Sequence, residues 1–262
     1  ILNVADLTVD GSFTTGAAVS IMLTLAGHPV LGILLAAVAG ALAGIVTAFL
    51  QTKLKIQPIL AGILTMTALY TINLAIMGNR PNMSLLYQET IFTGIDEALG
   101  RWGELVLCLL ICVVCVALVS LFLHTRLGLS VRATGDNEDM VRSSSINADL
   151  MKFIGLAVAN ALVALSGAVL CQYQQFTDIS MGTGMVVIAL ASLVIGEVVF
   201  GWSKLMLAAM IIGTIIYRLI YALALQVEIP VMYMKLVTAV FVILAISYPV
   251  IVNKIKLHSQ KR

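Results

Sequence analysis

The sequence predicts an all-α, polytopic membrane protein. Hydrophobic residues make up 61% of the 262 residues, whereas Asp, Glu, Lys and Arg together make up only 11%. Apolar runs recur along the chain at lengths near the roughly 20 residues that a helix needs to cross the hydrocarbon core of a bilayer. This composition lies far outside the range of soluble domains, so a soluble enzyme or binding module is excluded.

Each predicted membrane helix corresponds to one apolar run. Six runs have full spanning length, at residues 30–50, 57–77, 103–124, 153–173, 204–226 and 235–252, and two shorter runs lie at 12–26 and 185–200. Residues 1–5 resemble the end of an apolar element, so we expect a further span before Ile1. The visible part therefore has about eight membrane helices in one transmembrane domain, residues 1–262.

The distribution of Lys and Arg predicts which loops are cytoplasmic. The excess of positive charge lies at Lys53 and Lys55, in the segment 125–152, at Lys204 and in the C-terminal tail. By the positive-inside rule these segments and the C-terminus are cytoplasmic, and the long loop 78–102 is external. The net charge of +2 is spread over short loops beside spans, so no nucleic-acid partner is expected.

The order of features indicates two repeats of inverted topology. A shift of 172 positions places Asp6 on Asp178 and Pro58 on Pro230, although identities over the whole overlap are no better than chance. In both halves a polar segment precedes a short apolar run, a turn and a full span. By the charge rule the first full span runs inward and its counterpart runs outward, which is typical of transporters.

In such folds the substrate path lies between the repeats, where short or broken helices expose their ends at membrane depth. The candidate segments are residues 6–16 and 172–184, which are rich in carboxylates, hydroxyls and glycines. The alternative is that both are interfacial loops, with Asp10 or Ser12 capping a short helix. Candidate pathway residues are Asp6, Thr8, Asp10, Ser12, Gln175, Asp178, Ser180 and Arg218.

Several polar residues within spans have a structural interpretation. Arg218 could attract an anionic group, but we prefer a side chain that extends outward to Glu228 or to lipid headgroups. For Asn73 and Asn160, hydrogen bonding between helices ranks above substrate contact. The cysteines are interpreted as small packing residues.

The sequence carries no catalytic constellation. The three histidines are far apart and none has metal-ligand spacing, so neither a catalytic residue nor a metal site is predicted. The chain also lacks the G-x-x-x-x-G-K-[ST] motif that binds nucleotide phosphates. Any ATP energy must therefore come from another subunit.

The polar segment 125–152 predicts two short helices joined by a turn. Asp136 is the predicted cap of a helix with acidic residues in its first turn and Arg142 in its last. A turn at 143–145 follows, and Asn147 is the predicted cap of the next span. A compact polar helix between two spans is interpreted as a docking surface.

These segments resemble the permease subunits of ATP-binding-cassette importers, in the branch that includes the branched-chain amino acid and ribose permeases. RLGLSVRATGDNEDMVRSSSIN at 126–147 is similar to the cytoplasmic coupling segment of that family, and LNVADLTVDGSFTTGAAV at 2–19 is similar to its N-terminal signature. The second segment, with YQQFTDISMGTGM at 173–185, is most similar to a group associated with aromatic amino acid uptake. Where this chain has Ser145, members of the family often have Gly.

The resemblance implies a set of partners in the bacterial plasma membrane. These are a second permease subunit, forming a homodimer, two ATPase subunits that carry ATP and Mg, and an external substrate-binding lipoprotein; this chain itself holds no cofactor. The coupling helix, from Asp136 to about Ser145, would insert into a groove on the ATPase, with Met140 and Val141 as apolar contacts. The implied coupling residues are Arg132, Gly135, Asp136, Asn137, Glu138, Met140, Val141, Arg142, Ile146 and Asn147.

The sequence thus favours the permease of an ATP-driven importer for a small polar solute. An amino acid is the expected solute, and an aromatic one is implied by resemblance alone. The alternative is an ion-coupled secondary transporter, which the carboxylates Asp6, Asp10 and Asp178 would serve. A membrane scaffold or a membrane enzyme ranks last, because no nucleophile and base are paired.

Overall fold

The computed structural model describes residues 2, 4–93, 102–200 and 206–226, with isolated positions between 236 and 247. The chain divides into two compact units, Ile1–Thr183 and Gly184–Arg262. The predicted span 235–252 lies almost wholly outside the described residues, as do Lys204, Pro230 and the C-terminal tail. The single transmembrane domain stays a prediction.

Helices make up most of the described residues in each unit. The first unit contains α1 (Thr8–Leu25), α2 (Pro29–Thr52), α3 (Pro58–Ile76), α4 (Gly103–His124), α5 (Arg126–Asp136), α6 (Glu138–Ser143) and α7 (Ala148–Gln174), and the second contains α8 (Met185–Phe200) and α9 (Met206–Gln226). Four of these helices, α2, α3, α4 and α7, are long and apolar enough to cross a membrane. The all-α, polytopic membrane fold is confirmed.

The helix boundaries follow local sequence signals. Pro29 and Pro58 occupy the first positions of α2 and α3, where the missing N–H of proline has no cost. α1 begins four residues before the predicted run at 12–26, where Asp6 Oδ1 accepts a hydrogen bond from Thr8 N at 2.8 Å and so satisfies one backbone donor of the first turn. The prediction that Asp10 or Ser12 caps this helix is wrong, since both lie inside it.

The core of the first unit is α1, which packs against α2, α3 and α7. Small residues allow the backbones to approach closely: a methyl group at Gly16 would overlap the carbonyl of Ala164, and one at Gly40 would overlap the carbonyl of Asn160. Gly44 faces the carbonyl of Leu156 in the same way. Close packing on small residues is the usual basis of helix association in membranes.

A two-stranded antiparallel ladder joins the segment after α3 to the segment after α7. β1 (Asn82–Ser84) pairs with β2 (Phe176–Asp178), and Asn82 lies opposite Asp178. From the sequence, only loops are predicted here, in 78–102 and 172–184. The strands were missed because each has three residues, and their pairing joins positions about 90 residues apart.

Gln172 anchors this ladder region to the helices, and its side chain is fully buried. Its Nε2 donates to Ser20 Oγ at 3.0 Å and to the carbonyl of Pro29 at 2.9 Å, and its Oε1 accepts from Ile91 N at 3.2 Å. One amide therefore connects α1, the start of α2, the end of α7 and the segment after β1.

In the second unit α8 and α9 pack against each other, and Gly213 of α9 lies directly on the carbonyl of Ser192. The order of a short helix followed by a longer one repeats the order of α1 and α2, as the proposed repeat requires. The inverted relation of the two halves stays a prediction.

Candidate substrate cleft and coupling helices

A buried polar network joins α1 to α7. Ser12 Oγ donates to Asn160 Oδ1 at 2.7 Å, and Asn160 Nδ2 donates to Asp6 Oδ2 at 2.7 Å and to the carbonyl of Leu156 at 3.0 Å. Ser12 and Asn160 are fully buried. The prediction that Asn160 bonds between helices is confirmed, and Asp6 and Ser12 are already engaged within the protein.

A second chain of hydroxyl groups joins α1 to α2 and α3. Thr8 Oγ1 lies 2.8 Å from Thr47 Oγ1, which donates to Thr65 Oγ1 at 3.0 Å. Thr65 Oγ1 in turn donates to the carbonyl of Ala61 at 3.0 Å. Because each hydroxyl has one donor and can accept as well, this chain satisfies its members without water. Thr8 is thus also committed to helix packing.

A cleft of about 200 Å³ opens beside these networks. Its lining comes from the first half of α1, the second half of α3 and the segment after β2, with residues Asp10, Gly11, Thr14, Met66, Thr67, Tyr70, Asn73, Ile179 and Thr183. Met66 and Asn73 lie about 12 and 22 Å along α3 from Pro58 at 1.5 Å per residue. In a hydrocarbon layer roughly 30 Å thick, these positions fall at membrane depth.

Two features of the cleft are notable. Asn73 is 1% exposed, its Nδ2 donates to the carbonyl of Gly11 at 3.4 Å, and its Oδ1 has no hydrogen-bond partner. Gly182 packs on the carbonyl of Asp10, and its N–H donates to Thr14 Oγ1 at 3.2 Å. The segment after β2 is thus held against α1, so the two candidate segments, 6–16 and 172–184, are in contact.

Of the seven predicted pathway residues in the first unit, only Asp10 lines this cleft. Asp6, Thr8 and Ser12 are bonded within the helix packing described above, and the other three lie elsewhere. Gln175 ends α7 with φ of +53°, and its carbonyl accepts from Leu85 N at 2.8 Å. Asp178 Oδ1 accepts from the N–H of Ser180 at 2.7 Å and from its hydroxyl, so this pair closes its own turn. Arg218 belongs to the second unit, where it is exposed on α9, and its predicted role stays a prediction.

Tyr70 is a cleft residue that was not predicted from the sequence. A signal was present, because Met66, Tyr70 and Asn73 recur at the i, i+4, i+7 spacing of one helix face. Within a span this spacing is hard to recognise, because apolar residues occupy every other face of the helix as well.

The polar segment forms two short helices, as predicted, but the cap differs from the prediction. Asp136 is the last residue of α5, and Asn137 Oδ1 accepts from Met140 N at 3.0 Å to cap α6. Asn137 is extended, with φ of −157° and ψ of +103°, whereas Asp136 remains helical. The second predicted cap is correct, since Asn147 Oδ1 accepts from Leu150 N at 3.1 Å.

Four charged side chains tie α6 to the start of α7. Glu138 contacts Arg142 at 2.8 Å and Lys152 at 2.7 Å, and Arg142 also contacts Asp149 at 2.7 Å. Hydrogen bonds from Lys152 and then from Arg142 lower the pKa of Glu138 below its ordinary value. Bonds to Glu138 and Asp149 raise the pKa of Arg142. We call these four residues the ionic cluster.

The two predicted apolar docking residues differ in exposure. Met140 is 55% exposed, but Val141 is 1% exposed and therefore packs inside the protein. The structure does not expose Val141 for the predicted contact with the ATPase, because consecutive residues of a helix face different sides; the contacts themselves stay a prediction. Exposed predicted coupling residues are Arg132, Asp136, Asn137, Met140, Arg142 and Asn147, whereas Gly135, Glu138 and Ile146 are half-buried.

Long apolar helices around a buried polar centre, with a polar helix pair between two spans, define a polytopic membrane protein of the permease class. The family described as "Branched-chain amino acid transport system / permease component" matches residues 1–246, and the chain belongs to this family as the permease subunit of an ATP-binding-cassette importer.

Named relatives agree with this assignment. The chain is 37% identical to a tyrosine transport system permease protein of Clostridioides difficile, over 93% of this chain and 81% of that protein. It is 32% identical to an uncharacterised protein of Rickettsia prowazekii, over 94% and 88% of the two chains. It is 25% identical to the ribose import permease protein RbsC of Escherichia coli, over 88% and 72%. No solved structure matches the chain.

Proposed function

We propose that this permease imports an amino acid, with an aromatic amino acid such as tyrosine as the preferred solute. The observation that carries the proposal is the polar cleft at membrane depth, which combines Asp10 and Asn73 with the aromatic ring of Tyr70. The similarity to a tyrosine transport system permease protein supports the same solute class. Substrate would enter the cleft by alternating access, driven by two ATPase subunits that hold ATP and Mg.

The coupling surface would be α6. Met140 projects 55% of its surface outward, while the buried Val141 holds the other side of the short helix in place. An exposed apolar side chain among charged neighbours suits a groove on a partner protein. The ATPase would therefore contact Met140, and Val141 would stay buried inside the permease.

The ionic cluster would transmit force from α6 into the membrane. Glu138 joins α6 to Lys152 near the start of α7, and Arg142 joins it to Asp149 one turn earlier. α7 in turn packs along α1 and α2. A displacement of α6 would therefore move α7, and with it the helix that carries Asp10.

The remaining partners are proposed on the same basis. A second copy of this permease and an external substrate-binding lipoprotein would complete the importer in the bacterial plasma membrane, with the C-terminus in the cytoplasm. The external loop 78–102 would help receive the binding protein, and Gln172 anchors its described part to α1 and α7. The naming of the relatives as import and transport-system permeases supports this assembly.

The coupling proposal is tested by one charge at α6. Met140→Glu should abolish tyrosine uptake by cells expressing the complete transport system, because a carboxylate would be desolvated in the ATPase groove. Leu54→Glu is the matched control, since Leu54 is 56% exposed on a predicted cytoplasmic loop outside the coupling segment, and it should leave uptake unchanged. Equal uptake by the Met140→Glu variant and the wild type would contradict docking through α6.

A further inference from the structure

One face of α9, the helix of the predicted span 204–226, carries three polar residues. Thr214, Arg218 and Tyr221 follow the i, i+4, i+7 spacing of one helix face, and we call them the polar stripe. Arg218 lies about 18 Å from Met206 and about 12 Å from Gln226 along a helix that rises 1.5 Å per residue. In a hydrocarbon layer roughly 30 Å thick, its side chain therefore begins well inside the membrane.

The polar stripe lies between two other surfaces of α9. On one side is the face packed on α8, where Gly213 lies on the carbonyl of Ser192 and Tyr217 is buried. On the other side, at 100° per residue, is an arc of exposed apolar residues, Ile211, Ile215, Leu219 and Leu223. The apolar arc is suited to lipid, whereas the polar stripe runs along the edge of the contact with α8.

Arg218 places a positive charge in this stripe. The residue is exposed, and the ion pairs of the described residues are those of the ionic cluster, so Arg218 has no counterion among them. Contact with lipid at this depth would be costly for an arginine, and a dry protein contact without a counterion would be costly as well. Water or a bound anion satisfies the charge.

The direction of the side chain works against an outward extension. Side chains of an α-helix lean toward the helix N-terminus. Arg218 therefore leans toward Met206 and away from Gln226, which is the nearer end of α9. Glu228, the counterion considered from the sequence, lies beyond that end and outside the described residues. The geometry favours a polar space within the membrane.

The chemistry of the polar stripe is suited to a carboxylate. A guanidinium group has five N–H donors in a planar fork and no acceptor, and this fork matches the two oxygens of a carboxylate. Tyr221 is half-buried one turn further along and adds a hydroxyl group and an aromatic ring. Thr214 donates its hydroxyl hydrogen to the carbonyl of Met210 at 2.8 Å, so its oxygen can only accept. A small organic anion with an aromatic part fits these groups.

We propose that Arg218 binds the carboxylate of the transported solute. The guanidinium group holds the two carboxylate oxygens through parallel N–H···O bonds, and Tyr221 contacts the rest of the solute. The proposal rests on the proposed amino acid substrate and adds that the permease itself recognises the carboxylate. The polar stripe then lines the part of the solute path that the second unit contributes.

The first measurement asks whether the polar stripe faces water, and it needs no substrate. A Thr214→Cys variant of the full chain in lipid nanodiscs, which keeps Arg218, is treated with a charged, membrane-impermeant methanethiosulfonate reagent. Ile215→Cys is the matched control, because Ile215 is the next residue and is exposed on the apolar arc. We expect Thr214→Cys to react about tenfold faster or more, since a charged reagent does not enter hydrocarbon. Equal rates, above the background of the four native cysteines, would overturn the proposal.

The second measurement is ligand binding to the same nanodiscs by saturation-transfer NMR. The probes are hydroxyphenylpropionate, which has a carboxylate but no amine, and tyramine, which has an amine but no carboxylate. Arg218→Gln should weaken hydroxyphenylpropionate binding by about tenfold or more, because a charge-assisted hydrogen bond becomes a neutral one. Arg218→Lys keeps the charge without the fork and should bind with intermediate strength. Unchanged binding by Arg218→Gln would overturn the proposal, and so would an equal loss of tyramine binding.

The remaining alternatives are separated by competition and by transport. Hydroxyphenylpropionate should protect Thr214→Cys from the reagent while Arg218 is intact, and equal protection by chloride would show an inorganic anion site and overturn the proposal. ATP-driven tyrosine uptake is compared for the wild type and Arg218→Gln in the complete transport system. Absence of uptake by the wild type would contradict the proposed function, whereas equal uptake by both would contradict the carboxylate site alone.

Discussion

Replacement of Asn160 with Leu would test whether the buried polar network holds α1 against α7. Leu has a similar size but no polar atoms, so the packing beside Gly40 is preserved while the hydrogen bonds are lost. Ser12 Oγ then loses its acceptor, and Asp6 Oδ2 loses the N–H that lies 2.7 Å away. Both groups are left without these partners at the contact between the two helices.

The magnitude follows from the two hydrogen bonds that Leu cannot make, one to Ser12 in α1 and one to Asp6 just before it. Hydrogen bonds between membrane helices average roughly 0.6 kcal/mol and reach about 1.7 kcal/mol. The bond from Ser12 is neutral and fully buried, whereas the bond to Asp6 involves a charged group that is partly exposed and so partly compensated by water. Together with the desolvation of an unpaired hydroxyl, the expected loss is about 2–4 kcal/mol in the free energy of unfolding.

The assay is unfolding of the purified protein in mixed micelles with increasing SDS, followed by circular dichroism. Ser166→Ala is the matched control, because Ser166 is exposed on the same helix and, among the residues that the structure describes, bonds only to the carbonyl of Val163. The control should change the free energy of unfolding by less than about 0.5 kcal/mol. A change equally small for Asn160→Leu would refute the claim that this network stabilises the contact of α1 with α7.

Three further predictions concern other parts of the first unit. Gly40→Ala should lower the free energy of unfolding by about 1–3 kcal/mol, measured in the same SDS titration, because its methyl group would overlap the carbonyl of Asn160. Ser145→Gly should raise it by about 0.5–1 kcal/mol, because Ser145 has a φ of +60°, where a side chain is strained; an unchanged or lower value would contradict the strain. The pKa of Glu138 is lowered by folding, so the stabilisation from its ion pairs is present above the ordinary value of 4.5 and lost as pH falls through the lower folded value. The protection of the α6 amides from hydrogen exchange, measured relative to the intrinsic exchange rate at each pH, should therefore fall below pH 4.5 in the wild type and depend less on pH in a Glu138→Gln variant.

The membrane helices could be predicted from the sequence because hydropathy and length directly reflect the bilayer. The predicted run at 103–124 coincides with α4, and the predicted run at 185–200 coincides with α8. Gly40 and Gly44 predict a close helix contact because their four-residue spacing places both on one face, and the structure confirms that face against α7.

Other features depend on contacts that no local pattern encodes. The β1 and β2 pairing, and the amide of Gln172 that reaches Ser20 and Ile91, join segments far apart in the chain. A carboxylate next to hydroxyls looks the same in sequence whether it binds substrate or its own turn, as the pair of Asp178 and Ser180 illustrates. The choice between Asp136 and Asn137 as the cap depends on the backbone conformation of a single residue. The capping preferences of Asp and Asn do not decide it, because both are favoured caps.

The central claim is that ATP hydrolysis on a partner drives amino acid import through this permease. The most direct measurement is uptake of radiolabelled tyrosine into proteoliposomes that contain the purified permease with its ATPase, with the binding protein and Mg-ATP supplied on their respective sides. We expect tyrosine accumulation that requires ATP, that is unaffected by exchanging sodium for potassium, and that is lost in the Met140→Glu variant. Accumulation driven by an ion gradient without ATP would contradict it and would support the secondary transporter.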